Sequence, residues 1–329
     1  MSDLSELYKA CRNGDVSTVQ TLVASLSLDD INRQEPNGST ALHAASYYGH
    51  KDIVQLLLDK GACRQQLNKY NMSPADEAST PEIKKLFRRP TKERNQRFTT
   101  ESLHLEWVKS AIDVREISLV NITYTKPFKN LDEASTIICA ASELQDASGM
   151  NLTSYFMKEA CRKNDASILI QAYTAEMDFY RRLNHLLAQL PFRKYTTEDR
   201  NRWYVQYVAT IDTSSQFAKF RWKGITYRGM MVTEEDLNEY KIGDWIVNNA
   251  FLSTSKDRAE AEKFICVPKP NKIPLITKYL VTRDRSALDI SSISEFKDEQ
   301  EVLILPNAVF KVATIMRDKR PIEIELSDK

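Results

Sequence analysis

Two carboxylates late in the chain are spaced so that they can work together. Glu299 and Glu301 flank a single glutamine, and Glu301 opens an apolar run that is typical of a β-strand. The spacing predicts that Glu301 lies at the edge of a strand and Glu299 in the loop before it. Both acids would then lie at the mouth of one site, close together but in different surroundings. A fixed carboxylate stabilises a developing positive charge, and a second one can orient a reaction partner and accept its proton.

Two further segments carry side chains that suit the same chemistry. Arg228 follows the short strand-like run 224–227, and a guanidinium group binds phosphate oxygens through two parallel hydrogen bonds. A Ser-Thr-Ser triplet at residues 253–255 ends the strand-like run 245–252 and supplies hydroxyl groups that both donate and accept hydrogen bonds. The fold must therefore bring together an arginine, a hydroxyl triplet and a Glu-x-Glu pair, each attached to a strand.

This order of motifs resembles the arginine-specific mono-ADP-ribosyltransferases. The resemblance covers residues 150–325 and is strongest from 221 to 306. It implies an enzyme that transfers ADP-ribose from NAD to arginine on protein acceptors and releases nicotinamide, with NAD as co-substrate and no metal. It also implies an α+β fold, in which a mixed or antiparallel β-sandwich follows a helical part.

The resemblance assigns a role to each motif residue. Glu301 would bond a ribose hydroxyl and stabilise an oxocarbenium-like ribose, Arg228 would bind the pyrophosphate, and Ser253 would orient the carboxylate and the nicotinamide ribose. Glu299 would position the acceptor arginine, since family members with glutamine here modify other acceptors such as asparagine. Phe296 would pack on the acceptor side chain, with an anchor for its own loop as the alternative. The other residues expected to contact NAD are Gly229, Thr254 and Ser255.

The sequence before these motifs repeats with a period near 33 residues. Residues 7–15 parallel residues 42–50, and the segment from Thr40 to His43 opens a Thr-x-Leu-His-x-Ala core. This core resembles ankyrin repeats, in which the threonine and histidine tie a turn to the following helix. We therefore predict an all-α ankyrin stack over residues 1–90 that binds a protein partner, whose identity the sequence does not give.

The remaining chain is predicted to contain one further domain. Residues 91–150 match neither set of motifs and are expected to form a linker or an extension of unclear role, followed by the catalytic domain at 151–329. Helix signals come first, with Asp165 predicted to cap a single helix that runs to Leu190. Strand-like runs then follow from 203–211 onward, and helices followed by strands indicate an α+β domain.

Composition and charge exclude several other classes of protein. The 329-residue chain is 42% hydrophobic and 28% charged with a formal net charge of +1, so no global attraction to nucleic acid or to membranes is expected. No apolar stretch approaches the length of a membrane span, and neither a signal peptide nor a lipid-anchor tail is recognised, which predicts a cytoplasmic protein. The five cysteines and four histidines lack metal-ligand spacing, and the glycine patterns of Rossmann folds and P-loops do not occur.

Two other functions fit the same residues. One is an NAD glycohydrolase, in which water replaces the acceptor arginine. The other is an ankyrin scaffold protein whose transferase domain is inactive, although the presence of Arg228, Ser253 and Glu301 together argues against it. An assay of NAD consumption separates these possibilities, because a pure scaffold releases no nicotinamide.

Overall fold

The chain divides into two units that are described separately. The first unit comprises residues 1–90 together with 151–155 and 294–296, and the second comprises the rest of the chain. The predicted boundary between residues 90 and 91 lies outside the described residues. The computed structural model describes residues 4–89, 107–110, 114–116, 125–175, 178–190, 195–266 and 269–329.

The first unit is built from short helices in pairs. These are α1 (Glu6–Asn13), α2 (Val16–Ser25), α3 (Leu28–Ile31), α4 (Ala41–Tyr48), α5 (Lys51–Asp59) and α6 (Pro81–Leu86). Thr40 caps α4, and its Oγ1 lies 2.8 Å from Nδ1 of His43. The other ring nitrogen of His43 lies 3.1 Å from the carbonyl oxygen of Met72. The histidine therefore ties its own helix to the next turn, as predicted, and Gly49 ends α4 in a left-handed conformation with φ of 86°.

A single apolar cluster holds these helices together. It includes Leu42, Ala45, Ile53, Leu57 and Ile83, none of which is more than 1% exposed. These side chains come from α4, α5 and α6, so the helices of neighbouring repeats share one core.

The second unit begins its described part with one strand and a group of helices. Residues 91–150, to which the sequence assigned no role, contribute strand β1 (Trp107–Ser110) and helix α7 (Leu131–Ala140). The other helices are α8 (Met150–Lys163), of which residues 151–155 belong to the first unit, α9 (Ile168–Thr174), α10 (Asp178–Ala188), α11 (Thr197–Asn201) and α12 (Trp203–Thr213).

Two predictions for this helical part are wrong. The single helix expected from Asp165 to Leu190 is two helices, α9 and α10, because Ala175 adopts an extended backbone after α9. The break lets Tyr173 and Tyr180 meet edge to face with ring centroids 6.2 Å apart.

The run 203–211, predicted as a strand, is the helix α12. Nine of its eleven residues are buried, so it has no polar face to reveal a helical period. The aromatic and β-branched residues that favoured a strand are instead packed on all sides, as in the stack of Trp203 on Phe179 with centroids 6.2 Å apart.

The strands form one mixed sheet, which confirms the mixed strand pairing predicted for this α+β fold. In the described residues the order is β1-β3-β8-β9-β5-β2-β4-β7-β6, and every pair is antiparallel except β5 with β9. The strands after β1 are β2 (Gly224–Val232), β3 (Trp245–Asn248), β4 (Leu252–Ser255), β5 (Ile273–Val281), β6 (Ala287–Asp289), β7 (Glu301–Ile304), β8 (Val309–Met316) and β9 (Ile322–Ser327).

The run 245–252, predicted as one strand, is broken into β3 and β4. The two strands lie in different parts of the sheet, β3 between β1 and β8 and β4 between β2 and β7. Asn248 stabilises the break, because its Nδ2 donates to the carbonyl oxygens of Ala250 at 2.7 Å and Leu305 at 3.3 Å. The break therefore decides that the Ser-Thr-Ser triplet lies beside β2 and β7.

Two short helices lie between strands of this sheet. They are α13 (Glu234–Asn238), which Thr233 caps, and α14 (Arg258–Glu262), which Asp257 caps. Helix α14 packs against β2 and β4. Within the described residues, none of the helices has the length and apolar character that crossing a membrane requires.

Candidate active site

The three predicted motif segments lie on three neighbouring strands. Ser255 of β4 is paired with Tyr227 of β2 on one side and with Glu301 of β7 on the other. Side chains that are directly opposite in antiparallel strands point to the same face of the sheet, with Cβ atoms roughly 5 Å apart. The register therefore brings the three motif segments side by side, although they are far apart in the sequence. Tyr227, Ser255 and Glu301 share one face, and Arg228, the next residue of β2, starts on the other.

Arg228 is held by the backbone of the hydroxyl motif. Only 3% of its surface is exposed, and its Nη1 donates to the carbonyl oxygen of Ser253 at 2.9 Å. Because this bond joins a β2 side chain to the β4 backbone, it fixes the direction of the guanidinium group relative to the triplet. A charged donor also makes a stronger hydrogen bond than a neutral one.

The two other hydroxyls of the triplet have structural partners. The Oγ1 of Thr226 donates to Oγ1 of Thr254 at 2.6 Å, and Thr254 donates in turn to the carbonyl oxygen of Val302 at 2.6 Å. The Oγ of Ser255 donates to the carbonyl oxygen of Glu299 at 2.8 Å. Thr254 therefore links β2, β4 and β7, and Ser255 holds the segment that carries the first glutamate.

The two glutamates lie on either side of a sharp bend. Glu299 ends a 3₁₀ turn (Lys297–Glu299), Gln300 has a left-handed φ of 46°, and Glu301 is the first residue of β7. The backbone N–H of Lys256 donates to the carbonyl oxygen of Gln300 at 3.1 Å, so the bend is pinned to the end of β4. Glu299 and Glu301 are 5% and 1% exposed. The sequence prediction of one acid in a loop and one at a strand edge is confirmed.

A cleft opens between these segments. Five of the predicted site residues line it, namely Arg228, Thr254, Ser255, Glu299 and Glu301. The lining combines a buried cation, which suits a phosphate group, with two carboxylates, which suit a centre of positive charge.

Four lining residues were not among the predicted site residues. One is Tyr227, which precedes Arg228 on β2, and the other three follow β4 in the chain. Glu260, Ala261 and Phe264 come from α14 and the turn that follows it. Glu260 is ion-paired with Lys263 of the same segment. The sequence feature that could have indicated them is Asp257, just after the triplet. Aspartate is a favoured N-cap residue, and here it caps α14 beside the predicted strand.

Gly229 is placed next to this helix. A Cβ atom at position 229 would overlap the carbonyl oxygen of Ala261, so only glycine lets α14 approach β2 this closely. Among the predicted site residues, Gly229 therefore has a packing explanation that does not require a ligand. Its predicted contact with NAD stays a prediction.

Phe296 is buried, with 1% of its surface exposed, and belongs to the first unit. Within that unit, the guanidinium carbons of Arg64 and Arg89 lie 4.8 and 4.0 Å from the centroid of its ring. Both distances are short enough for cation–π contact. The ring is therefore used as an anchor in this conformation, and its predicted contact with an acceptor stays a prediction.

Lys256, directly after the triplet, is tied to strand β6, which lies on the far side of β7 from β4. Burial favours the neutral form of Asp289, but hydrogen bonds from Lys256 and Ser291 outweigh this and lower the pKa of the Asp289 carboxyl group. The Nζ of Lys256 lies 2.8 Å from Asp289 and 3.2 Å from the Ser291 hydroxyl. The ionised pair therefore fixes the end of β4 from the side of β6.

Comparison with known families agrees with this arrangement. The model of the family described as NAD:arginine ADP-ribosyltransferase matches residues 93–329. The chain belongs to the NAD:arginine ADP-ribosyltransferase family. A second family model, described as ankyrin repeats in three copies, matches residues 7–87 of this ADP-ribosyltransferase-family protein.

Individual relatives match only part of the chain or share little sequence identity with it. Vis, an ADP-ribosyltransferase from Vibrio splendidus, is 35% identical over 115 residues, which is 34% of this chain and 45% of Vis. The chain thus spans less than half the length of this relative. A crystal structure of Vis with agmatine is similar at 22% identity and a TM-score of 0.38, covering 63% of this chain and 88% of that one. HopU1 of Pseudomonas syringae pv. tomato is 14% identical with a TM-score of 0.41, covering 64% and 96%.

Proposed function

We propose that this protein transfers ADP-ribose from NAD to arginine side chains of other proteins. The observation that carries the proposal is the pairing of β2, β4 and β7, which lines one cleft with Arg228, Glu299 and Glu301. Membership of the NAD:arginine ADP-ribosyltransferase family supports the same function. In this proposal Arg228, Ser253 and Glu301 act on NAD, and Glu299 acts on the acceptor.

Glu301 serves the first half of the reaction. When the bond between nicotinamide and ribose breaks, the electron pair leaves with nicotinamide and the ribose becomes positively charged. A carboxylate with 1% of its surface exposed is poorly screened by water, so its attraction to this charge is stronger than it would be at the surface. Ser253 assists by orienting the carboxylate and the nicotinamide ribose.

Glu299 serves the second half. The acceptor guanidinium is cationic and must lose a proton to become a nucleophile. Glu299 accepts this proton while the guanidinium nitrogen forms the new bond to the ribose carbon. The bond from Ser255 to the backbone of Glu299 keeps this second acid beside the first.

Arg228 binds the pyrophosphate of NAD in this proposal. Its guanidinium group is already aimed by the bond to Ser253, so less freedom is lost when NAD binds. Gly229 and Thr254 contribute to the shape of the site. Gly229 lets α14 approach β2, and Thr254 joins three strands. Ser255 holds the bend between the two acids.

The repeats are proposed to recruit a protein partner or substrate. Support comes from the match to ankyrin repeats over residues 7–87 and from a core that shares no described residue with the cluster in the sheet. The recruited protein would supply the acceptor arginine, and the repeats themselves would leave the chemistry unchanged.

The test follows two products on one preparation of the full-length protein. Nicotinamide release reports NAD cleavage, and label fixed to agmatine or to protein reports transfer to a guanidinium group. Glu301→Gln is expected to lower both by about 100-fold or more, because it keeps the shape and removes the charge. Glu299→Gln is expected to abolish transfer and leave NAD hydrolysis measurable, because water needs no such positioning.

Asp298→Asn is the matched control, because Asp298 lies in the same 3₁₀ turn and is exposed. Normal nicotinamide release from Glu301→Gln would contradict the role of Glu301. Wild-type protein that releases nicotinamide but never labels a guanidinium group would indicate an NAD glycohydrolase. Absence of both products would indicate a scaffold.

A further inference from the structure

One side chain of the helical part holds the residue just before β4. The Oδ1 of Asn184, on α10, accepts a hydrogen bond from the backbone N–H of Phe251 at 3.2 Å, and its Nδ2 donates to the carbonyl oxygen of Phe251 at 3.4 Å. The Nδ2 also donates to the hydroxyl of Tyr173 at 3.0 Å. A side-chain amide is suited to this double contact because it carries a donor and an acceptor on one planar group.

The ring of Phe251 is held by the same group of helices. Its centroid lies 5.1 Å from that of Tyr173 and 6.3 Å from that of Tyr207, both within the range of aromatic contacts. The Tyr207 hydroxyl donates to the carbonyl oxygen of Leu169 at 2.7 Å. The backbone of Phe251 is thus fixed by Asn184 and its ring by two tyrosines.

This anchor is close to the catalytic motif along the chain. Ser253 follows Phe251 by two residues, which is about 7 Å in an extended strand. Strand β4 has four residues, so its position depends on how its first residues are held. The carbonyl oxygen of Ser253 also accepts the hydrogen bond of Arg228, so a shift of β4 would disturb two motifs together.

We propose that Asn184 is a positioning residue for the Ser-Thr-Ser triplet. It bonds to Phe251 and acts on the reaction through Ser253. This inference rests on the proposed function, since NAD cleavage is one of its readouts. A displacement on the scale of about 1 Å at a reacting centre can cost about 100-fold in rate, which sets the size of effect to look for.

The experiment compares Asn184→Ala with Tyr207→Phe in the full-length protein. Tyr207→Phe keeps the ring against Phe251 and removes a buried hydrogen bond to Leu169, so it destabilises the helices without touching the Phe251 backbone. Asn184→Ala is expected to lower kcat for nicotinamide release by about 10- to 100-fold. Tyr207→Phe is expected to lower Tm and leave kcat near the wild-type value. Equal kcat for wild type and Asn184→Ala would overturn the proposal.

A double-mutant cycle identifies the route of the effect. If Asn184 acts through Ser253, then Asn184→Ala should cost clearly less in a Ser253→Ala background than in the wild type. The cost that remains comes from the Ser253 carbonyl oxygen, which still holds Arg228 in that background. If the fold loss in kcat of the double variant equals the product of the two single losses, Asn184 acts elsewhere and the proposal is overturned. If the alanine variant does not fold, the isosteric Asn184→Asp replaces it, and a loss of about threefold or more is expected because the two donated bonds are lost.

Hydrogen exchange supplies a readout that does not depend on the reaction. The backbone amides of residues 252–255 are expected to exchange at least about tenfold faster in Asn184→Ala than in Tyr207→Phe, because only the first variant releases the start of β4. Unchanged exchange would overturn the positioning role. A wild-type protein that cleaves no NAD would contradict the proposed function, and the exchange result would then decide this inference by itself.

Discussion

At the scale of single residues, the candidate site is built from charged groups that the fold removes from water. Arg228, Glu299 and Glu301 are each no more than 5% exposed. Burying charged groups is costly unless they are paired or hydrogen-bonded, and buried charged groups that line one cleft are typical of functional sites. The hydrogen bond from the buried guanidinium group of Arg228 to the backbone of Ser253 fixes the direction of that group.

Replacing the guanidinium of Arg228 should therefore weaken NAD binding. Arg228→Lys keeps the positive charge but loses the planar group that makes two parallel bonds to phosphate. We expect the Kd for NAD, measured by titration calorimetry, to rise about tenfold or more. Arg162→Lys, an exposed change on α8, should leave the Kd unchanged. An unaltered Kd in Arg228→Lys would contradict the pyrophosphate contact.

At the scale of elements, the approach of helix α14 to strand β2 closes one side of the cleft. Glu260 and Ala261 of this helix line the cleft, and Gly229 of β2 lies against the Ala261 carbonyl oxygen. The residue next to Gly229 is Arg228, so any displacement of α14 acts directly beside the predicted phosphate contact.

Comparing Gly229→Ala with Gly243→Ala should separate an effect on stability from an effect on NAD binding. Gly229→Ala is expected to destabilise the protein by about 1–3 kcal/mol and to weaken NAD binding, because α14 must move away from β2. Gly243→Ala is the comparison, since Gly243 has a φ of 96° but no neighbouring atom within 4 Å of the position that an added methyl group would take. It should lower Tm through backbone strain without changing the Kd for NAD. Equal effects of both variants on the Kd would count against this role of α14.

The helices of the repeat unit should respond to pH through His43. Burial lowers the pKa of His43, although its bond to the Met72 carbonyl oxygen opposes part of this effect. In acid the unfolded chain therefore binds a proton before the folded one does. The stability contributed by the neutral ring is present above the usual pKa of 6.5 and is lost as pH falls through the lower folded value.

Hydrogen exchange of α4 and α5 can measure this dependence. After correction for intrinsic exchange rates, protection should be lower at about pH 5.5 than at about pH 7.5. His43→Gln should be less stable at both values but should flatten the dependence. A slope that persists in His43→Gln would assign the effect to another group.

At the scale of the whole molecule, the two units have separate cores. The apolar cluster of the repeats and that of the sheet share no residue among those described. The residues proposed to act on NAD all belong to the second unit, whereas the repeats belong to the first. Damage to one core should therefore leave the chemistry of the other unit in place.

Leu57→Ala tests this separation. Leu57 is 0% exposed in the repeat core, and its truncation should destabilise the first unit by about 2–5 kcal/mol. We expect nicotinamide release and labelling of agmatine to persist, while labelling of protein acceptors in a cell extract falls. A parallel loss of nicotinamide release would show that the repeats support the catalytic residues themselves.

The sequence by itself determined the local features of this protein. The positions of Glu299 in a turn and Glu301 at the start of a strand follow from two acids next to an apolar run, and the structure confirms both. The capping of α4 by Thr40 and the turn at Gly49 were also predictable, because each depends on residues within one turn of the helix.

The tertiary structure decided how these local features are combined. The run 245–252 is largely apolar, and only its partners show that it breaks, with Asn248 bonded to Leu305 and Phe251 bonded to Asn184. Helix α12 likewise looked like a strand, because burial on all sides removes the period that distinguishes the two. Strand pairing and such long-range bonds join residues that are distant in the sequence, so no local pattern records them. For that reason the residue types of the candidate site could be predicted from the sequence. The register of β2, β4 and β7, and the position of Asn184 beside Phe251, follow only from the fold.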